Sequence, residues 1–185
     1  MFFQNPDDLH LFVDKGIVPK TVKPVLVNGS GVNIEKFALA PPKLSPVTFL
    51  LMARLIKDKG ILEYVEAARL LKQKYPMAKF QLLGPLDTNP TAITQEQLDQ
   101  WAEEGVIEYL GETDDVRPFV ANASVYVLPS YREGTPRSVL EAMSMGRPII
   151  TTDAPGCRET VIDGRNGFLV PVKDVSALMS AMEKF

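Results

Sequence analysis

Tyr131-Arg132-Glu133-Gly134-Thr135-Pro136-Arg137-Ser138-Val139-Leu140-Glu141-Ala142-Met143-Ser144-Met145-Gly146 comes shortly after an apolar run, Val125-Tyr126-Val127-Leu128. A short apolar run of this kind reads as a buried strand. Thr135 stands where an N-cap belongs and Pro136 where a first helical residue belongs, so the segment predicts strand, loop, helix. The first turn of that helix leaves the N–H groups of Arg137, Ser138 and Val139 unpaired, Pro136 having none. With the positive end of the helix dipole, these donors suit a phosphate or a sugar hydroxyl. Glu133 precedes the helix and Glu141 lies more than a turn inside it. One carboxylate can accept hydrogen bonds from a polyol held over the helix start, the other from two neighbouring ribose hydroxyls. The competing reading makes both ordinary surface charges, with Glu141 paired to Arg137 at i, i+4.

Outward from this stretch the pattern repeats. Thr48–Ala53, Lys79–Leu83, Val106–Leu110, Val125–Leu128, Pro148–Thr152 and Gly167–Val170 read as strands. Helices are expected over Ile61–Tyr75, over Thr94–Glu104 with a Thr94/Gln97 capping box, from Asp114 or Asp115 to Asn122, at about Cys157, and from Asp174. Strands alternate with helices across short connections, which predicts an α/β fold: a right-handed, doubly wound parallel sheet of about six strands with helices on both faces. Ligands of such sheets bind outside the carboxyl ends of the strands. At the amino end, Gln4 to Lys15 reads as a short helix capped by Asn5 with Pro6 first, and Gly16 ends it. The proline-bearing segment 17–24 reads as a connector. Residues 1–24 are therefore expected to form a helix and linker, and 25–185 the sheet domain, with Val25-Leu26-Val27 as a strand before an Asn28–Gly31 turn.

The chain has 185 residues, 45% hydrophobic and 23% charged, enough for one substantial core. Its net charge of −3 offers no general attraction to nucleic acid or anionic lipid. A single cysteine, Cys157, excludes an intramolecular disulfide and fits a reducing compartment. No stretch is long enough for a membrane span, and Met1-Phe2-Phe3 is too short for a secretory signal, so any membrane role is expected to be peripheral and the location cytoplasmic. With one cysteine and one histidine, His10, there is no zinc spacing and no plausible Ser-His-Asp arrangement.

Arg54 and Lys59 fall in the loop after the Thr48 strand, where a planar donor fork and a point charge can neutralise a diphosphate. Alone, such a pair is equally a solvated basic loop. No Gly-x-Gly-x-x-Gly follows the first strand and no P-loop motif occurs. Asp87 and Asp114-Asp115 make no convincing metal site, so no metal is expected. Cys157 is expected at a helix start, where a thiol is either mildly acidic or a small packing residue.

Taken together, Glu133 and Glu141 separated by seven residues, Ala53-Arg54-Leu55 with Lys59-Gly60, Val25-Leu26-Val27-Asn28-Gly29-Ser30-Gly31-Val32, and Asn166-Gly167-Phe168-Leu169-Val170 resemble the C-terminal, nucleotide-sugar-binding domain of a GT-B glycosyltransferase of the retaining family 4. Gln4-Asn5-Pro6-Asp7-Asp8-Leu9 resembles the end of the preceding domain in bacterial members that build capsular or lipid-linked glycans. The resemblance implies that Arg54 and Lys59 hold the donor diphosphate, that of a UDP-sugar with a GDP-sugar as the alternative, and stabilise it as a leaving group. It implies that Glu133 positions the sugar, with the Gly134, Thr135, Pro136, Arg137 and Ser138 backbone around its hydroxyls. Val139 and Leu140 would lie against the phosphates, Glu141 at the ribose, and the base near Gly84 and the Ile107–Gly111 segment. It further implies retention at the anomeric carbon, no metal or other cofactor, and a separate N-terminal domain carrying the acceptor site, without which the chain is inactive. By that comparison the domain also stops short at its C-terminal end. The alternatives are a nucleotide-binding or interaction module without catalysis, and a GT-B relative such as a sugar-nucleotide epimerase or phosphorylase.

Overall fold

The computed structural model describes all 185 residues, Met1 to Phe185. At the amino end β1 (Phe2–Phe3) leads into α1 (Pro6–Asp14), and β2 (Val25–Leu26) returns to pair with β1 in parallel. Asn5 caps α1 as expected, its side chain accepting from the Asp8 N–H at 2.8 Å, with Pro6 at the first position. The strand expected at Val25 is present over Val25–Leu26, and with β1 it forms a two-stranded sheet separate from the main one.

The main sheet contains β3 (Thr48–Met52), β4 (Lys79–Leu83), β5 (Glu108–Tyr109), β6 (Val125–Leu128), β7 (Ile149–Thr152) and β8 (Gly167–Val170), all parallel, in the order β5-β4-β3-β6-β7-β8. Its helices are α2 (Ile61–Lys74), α3 (Gln95–Glu103), α4 (Arg117–Asn122), α5 (Arg137–Ser144) and α6 (Val175–Met182). The two-residue alternation of a strand divides the core into two layers. Phe49, Leu51, Phe80, Leu82, Val125 and Val127 face one way, against Ile61, Tyr64, Val65 and Leu71 of α2, Leu98 and Trp101 of α3, and Leu178 and Met182 of α6. Leu50, Met52, Tyr126, Leu128 and Ile149 face the other, against Val120 of α4 and Val139 and Ala142 of α5. At roughly 1.5–3 kcal/mol for each large apolar side chain removed from water, these layers supply most of the drive to fold. Tyr64 is fully buried yet satisfied, donating to the Phe49 carbonyl at 2.9 Å, and burial holds its phenol well above the usual tyrosine range.

Three elements of the main domain differ most from the reading of the sequence. The strand expected over Val106–Leu110 is confined to Glu108–Tyr109, because the Val106 and Ile107 amides both turn back onto the Trp101 carbonyl, at 3.0 and 3.3 Å, and cannot extend the ladder. The helix expected at Asp114 or Asp115 begins at Arg117. Asp115 stays outside it, accepting from the Arg117 amide at 3.1 Å and pairing with that guanidinium at 2.8 Å, which holds its carboxyl down at about 2. At Cys157 there is only a single 3-10 turn, Arg158–Thr160, since Val161 already returns to extended backbone. The Thr94/Gln97 capping box is present with both reciprocal bonds.

Candidate functional site

The chain runs outward from β3 through β4 to β5, then returns to the middle and runs the other way through β6, β7 and β8. The carboxyl ends of β3 and β6 therefore flank the topological switch point, where loops diverge and leave a crevice. Gly60 draws the two loops together. Its φ is +73°, and a Cβ there would run into the Pro129 carbonyl, so only glycine allows this approach. The Tyr131 amide donates to the Asp58 carbonyl at 2.9 Å across the same seam. As a result Lys59 Nζ meets Glu133 Oε1 at 2.5 Å, and Ser130 Oγ donates to the same oxygen at 2.8 Å. The two charged side chains are only 19% and 13% exposed, so they interact more strongly than a surface pair.

Arg54, expected beside Lys59, instead extends to Asp87 Oδ2 at 3.0 Å. Its side chain is 62% exposed, and an ion pair so wet is weak, leaving the guanidinium free to turn to an anion. Next to it a cavity of about 580 Å³ lies against Met52, Ala53, Gly84, Pro85, Glu112 and Thr113. The Gly84 amide donates to the Gly111 carbonyl at 2.8 Å, so Gly84 and the end of the β5 segment do meet at the sheet edge. Ile107 does not reach it. It immediately precedes β5, at the opposite end of the strand from the crevice, and is buried in the α2–α3 layer.

At the start of α5, Pro136 occupies the cap position and Arg137 is the first helical residue. Thr135 is not the N-cap. Its hydroxyl donates to the Gln4 carbonyl at 3.3 Å, a tertiary partner taking the group that local sequence assigns to the helix. The Val139 amide is already bonded to the Pro136 carbonyl at 3.1 Å, and its side chain is buried in the core, leaving the Arg137 and Ser138 amides as the open donors. Leu140 is half-buried on the same helix. Glu141 is mostly buried and accepts from Arg137 Nε at 3.0 Å, so the ordinary i, i+4 pair is formed; the arginine is 68% exposed and easily drawn off.

Tyr126 was not singled out by sequence, since it reads as one more apolar residue of β6. Its hydroxyl lies 3.0 Å from the Met52 carbonyl and 2.7 Å from Ser138 Oγ, tying the end of β3 to the first turn of α5. The usable signal was a tyrosine within a run of valine and leucine, because a buried phenol needs a partner.

Cys157 is completely buried, with its sulfur 4.0 Å from the Ser130 carbonyl, and burial pushes the thiol up instead of making it acidic. The folded protein is therefore expected to resist a disulfide reagent such as dithiobis(nitrobenzoate) at mildly alkaline pH and to react promptly in concentrated guanidinium chloride. Rapid native-state labelling would contradict this burial. No group of three or more His, Cys, Asp or Glu side chains comes together as a metal site, and no helix is long and apolar enough to cross a membrane.

Against known proteins, the family described as glycosyl transferases group 1 matches residues 46–185. The N,N'-diacetylbacillosaminyl-diphospho-undecaprenol alpha-1,3-N-acetylgalactosaminyltransferase of Campylobacter jejuni is 37% identical over 129 residues, covering 70% of this chain and 32% of that protein. The capsular polysaccharide biosynthesis glycosyltransferase CapM of Staphylococcus aureus is 28% identical over 186 residues, covering 95% of this chain and 49% of its own length. Among solved structures, Anabaena Alr3699/HepE in complex with UDP and glucose superposes with a TM-score of 0.79 at 21% identity, over 99% of this chain and 52% of that one. The chain thus spans about a third to a half of these proteins.

Proposed function

Because the chain belongs to the group 1 glycosyl transferases, we propose that it is the donor-binding domain of a retaining enzyme that transfers a sugar from a nucleotide-sugar, a UDP-sugar, to a glycan or lipid-linked acceptor in bacterial surface polysaccharide synthesis. One observation carries this reading. A lysine, a carboxylate and two open helix amides converge at the switch-point crevice of a parallel sheet, with a second carboxylate one helix turn on. In this scheme the diphosphate lies over the Arg137 and Ser138 amides. Lys59, with Arg54 turned in from Asp87, supplies the countercharge that grows in importance as the glycosidic bond breaks. Glu133 accepts from the donor sugar's hydroxyls and Glu141 from the ribose. Gly134, Thr135, Pro136 and Leu140 shape the surroundings, and the base enters the cavity beside Gly84. The acceptor site belongs to a second domain, which closes over the donor and completes the catalytic geometry. The enzyme works in the cytoplasm, where nucleotide-sugars are available, with any membrane contact peripheral.

The test is a chemical-shift titration of the 185-residue chain with UDP, GDP and ADP, repeated with Glu141→Ala. Saturable binding of UDP is expected, with shifts at Lys59, Ser138 and Gly84. The variant is expected to bind roughly tenfold more weakly, the loss that follows when a ribose hydroxyl pair gives up a charged acceptor. Equal affinity of the variant would remove Glu141 from the ribose site. A site that responded to none of the nucleotides would favour an interaction module instead.

A further inference from the structure

The loop that carries Glu133 is held from two sides. On one side its own amide donates to the Pro155 carbonyl at 2.9 Å, and Gly156, with φ +82°, lets the backbone pass directly beneath the Glu133 and Gly134 carbonyls. On the other side the amino-terminal segment closes on it. Asn5, fully buried although polar, sends its amide Nδ2 both to the Glu133 carbonyl at 3.2 Å and to Asp8 Oδ2 at 2.8 Å. Its Oδ1 accepts the Asp8 amide at 2.8 Å. Around it Arg132 pairs with Asp8, and Arg158 reaches Asp7 at 3.3 Å, so the first turn of α1 is fastened to the loops after both β6 and β7.

A buried asparagine whose acceptor caps a helix needs only its oxygen for that task. Here both ends of the amide are used, and the second end binds the peptide immediately following the side chain that meets Lys59. We infer that Asn5 is a positioning residue for Glu133: it ties the α1 cap to the Glu133 peptide and thereby fixes where that carboxylate stands in the crevice. The inference deepens the donor-site reading above and rests on it for its ligand readout. It also assigns the amino-terminal segment a role in the site, to which α1 is further held by the Arg132–Asp8 and Arg158–Asp7 pairs.

Two variants separate this role from simple helix capping. Serine caps a helix about as well as asparagine but cannot donate to the Glu133 carbonyl, whereas alanine does neither. Amide hydrogen exchange gives a readout that needs no ligand. Asn5→Ser is expected to speed exchange of the Glu133 amide by roughly three- to tenfold, the range a single net hydrogen bond supports, while leaving the Lys15 amide of α1, bonded to the Leu11 carbonyl, protected as before. Asn5→Ala is expected to release both. Titration with UDP-glucose, whose sugar hydroxyls Glu133 is proposed to meet, should show Asn5→Ser binding weakened by a similar factor, without restoration relative to alanine. Unchanged Glu133 exchange in Asn5→Ser, or serine restoring both exchange and UDP-glucose affinity, would overturn the proposal in favour of capping alone. If the wild-type chain binds no UDP, the donor reading fails, and the exchange comparison still decides the role of Asn5.

Discussion

Glu133→Gln is expected to tighten UDP binding to this chain, whereas Lys59→Ala is expected to weaken it by roughly ten- to a hundredfold. The opposite signs follow from the 2.5 Å contact between the two side chains. In the proposed donor site Glu133 already holds the ammonium assigned to the diphosphate, so a nucleotide there must first draw Lys59 away and then tolerate a carboxylate beside its own negative charge. Glutamine removes both obstacles while keeping the size and an acceptor for Ser130, and a gain of a few-fold is expected. Alanine at position 59 removes a charge-assisted bond to phosphate worth about 1.5–3 kcal/mol, and leaves Glu133 unpaired at the same time. Calorimetry on the two single variants and the double variant measures the coupling. A weakening in both singles would mean that Glu133 supports the lysine instead of competing for it. For sugar transfer in the proposed scheme the sign for Glu133→Gln changes, because the charged acceptor for the sugar is lost and turnover is expected to fall even as UDP binds better.

The second large effect lies outside the crevice. Arg147 is 2% exposed and has no carboxylate partner; its guanidinium donates to the Ala123 carbonyl at 2.8 Å, to the Met145 carbonyl at 2.9 Å and to the Ala40 carbonyl. Burial lowers its proton affinity, yet a guanidinium stays charged at any workable pH, so the cost of burying it is offset by these bonds. Arg147→Met keeps the stem, orphans the Ala123 and Ala40 carbonyls and leaves that of Met145 with only a long bond from the Ala40 amide at 3.4 Å. A loss of about 3 kcal/mol or more is expected, each buried acceptor costing roughly 1–3 kcal/mol when abandoned. Urea unfolding should show a lower midpoint at unchanged slope. A loss below about 1 kcal/mol would mean that water enters and replaces the guanidinium.

Local chemistry made much of the fold legible. The strands at Thr48, Lys79, Val125 and Gly167, the Asn5 cap and the Thr94 box all depend on residues within a few positions of each other, and all are present. The departures arise where a distant group intervenes. Trp101 shortens β5, and Gln4 takes the Thr135 hydroxyl from α5. The candidate site divides in the same way. Glu133, Glu141 and the open amides of α5 could be read from one stretch, but the Lys59–Glu133 contact spans 74 positions and the Asn5–Glu133 bond 128, and no spacing rule reaches so far. Arg147 follows a glycine and reads as a solvated charge, although three carbonyls from separate segments await it.

The junction of β3 with β6, in register Phe49 to Val125, also bears on the order in which the molecule acquires its parts. β4 and β5, the other strands of one half, or lobe, of the sheet, lie between these two partners in the chain, so zipping them together encloses a long loop whose entropy must be given up before the contact returns anything. Each lobe can begin to condense from its own neighbours, but the crevice exists only once the lobes have met. Ligand competence should therefore be a late acquisition on the folding route, and a nascent chain that has not yet presented β6 has nowhere to put a nucleotide.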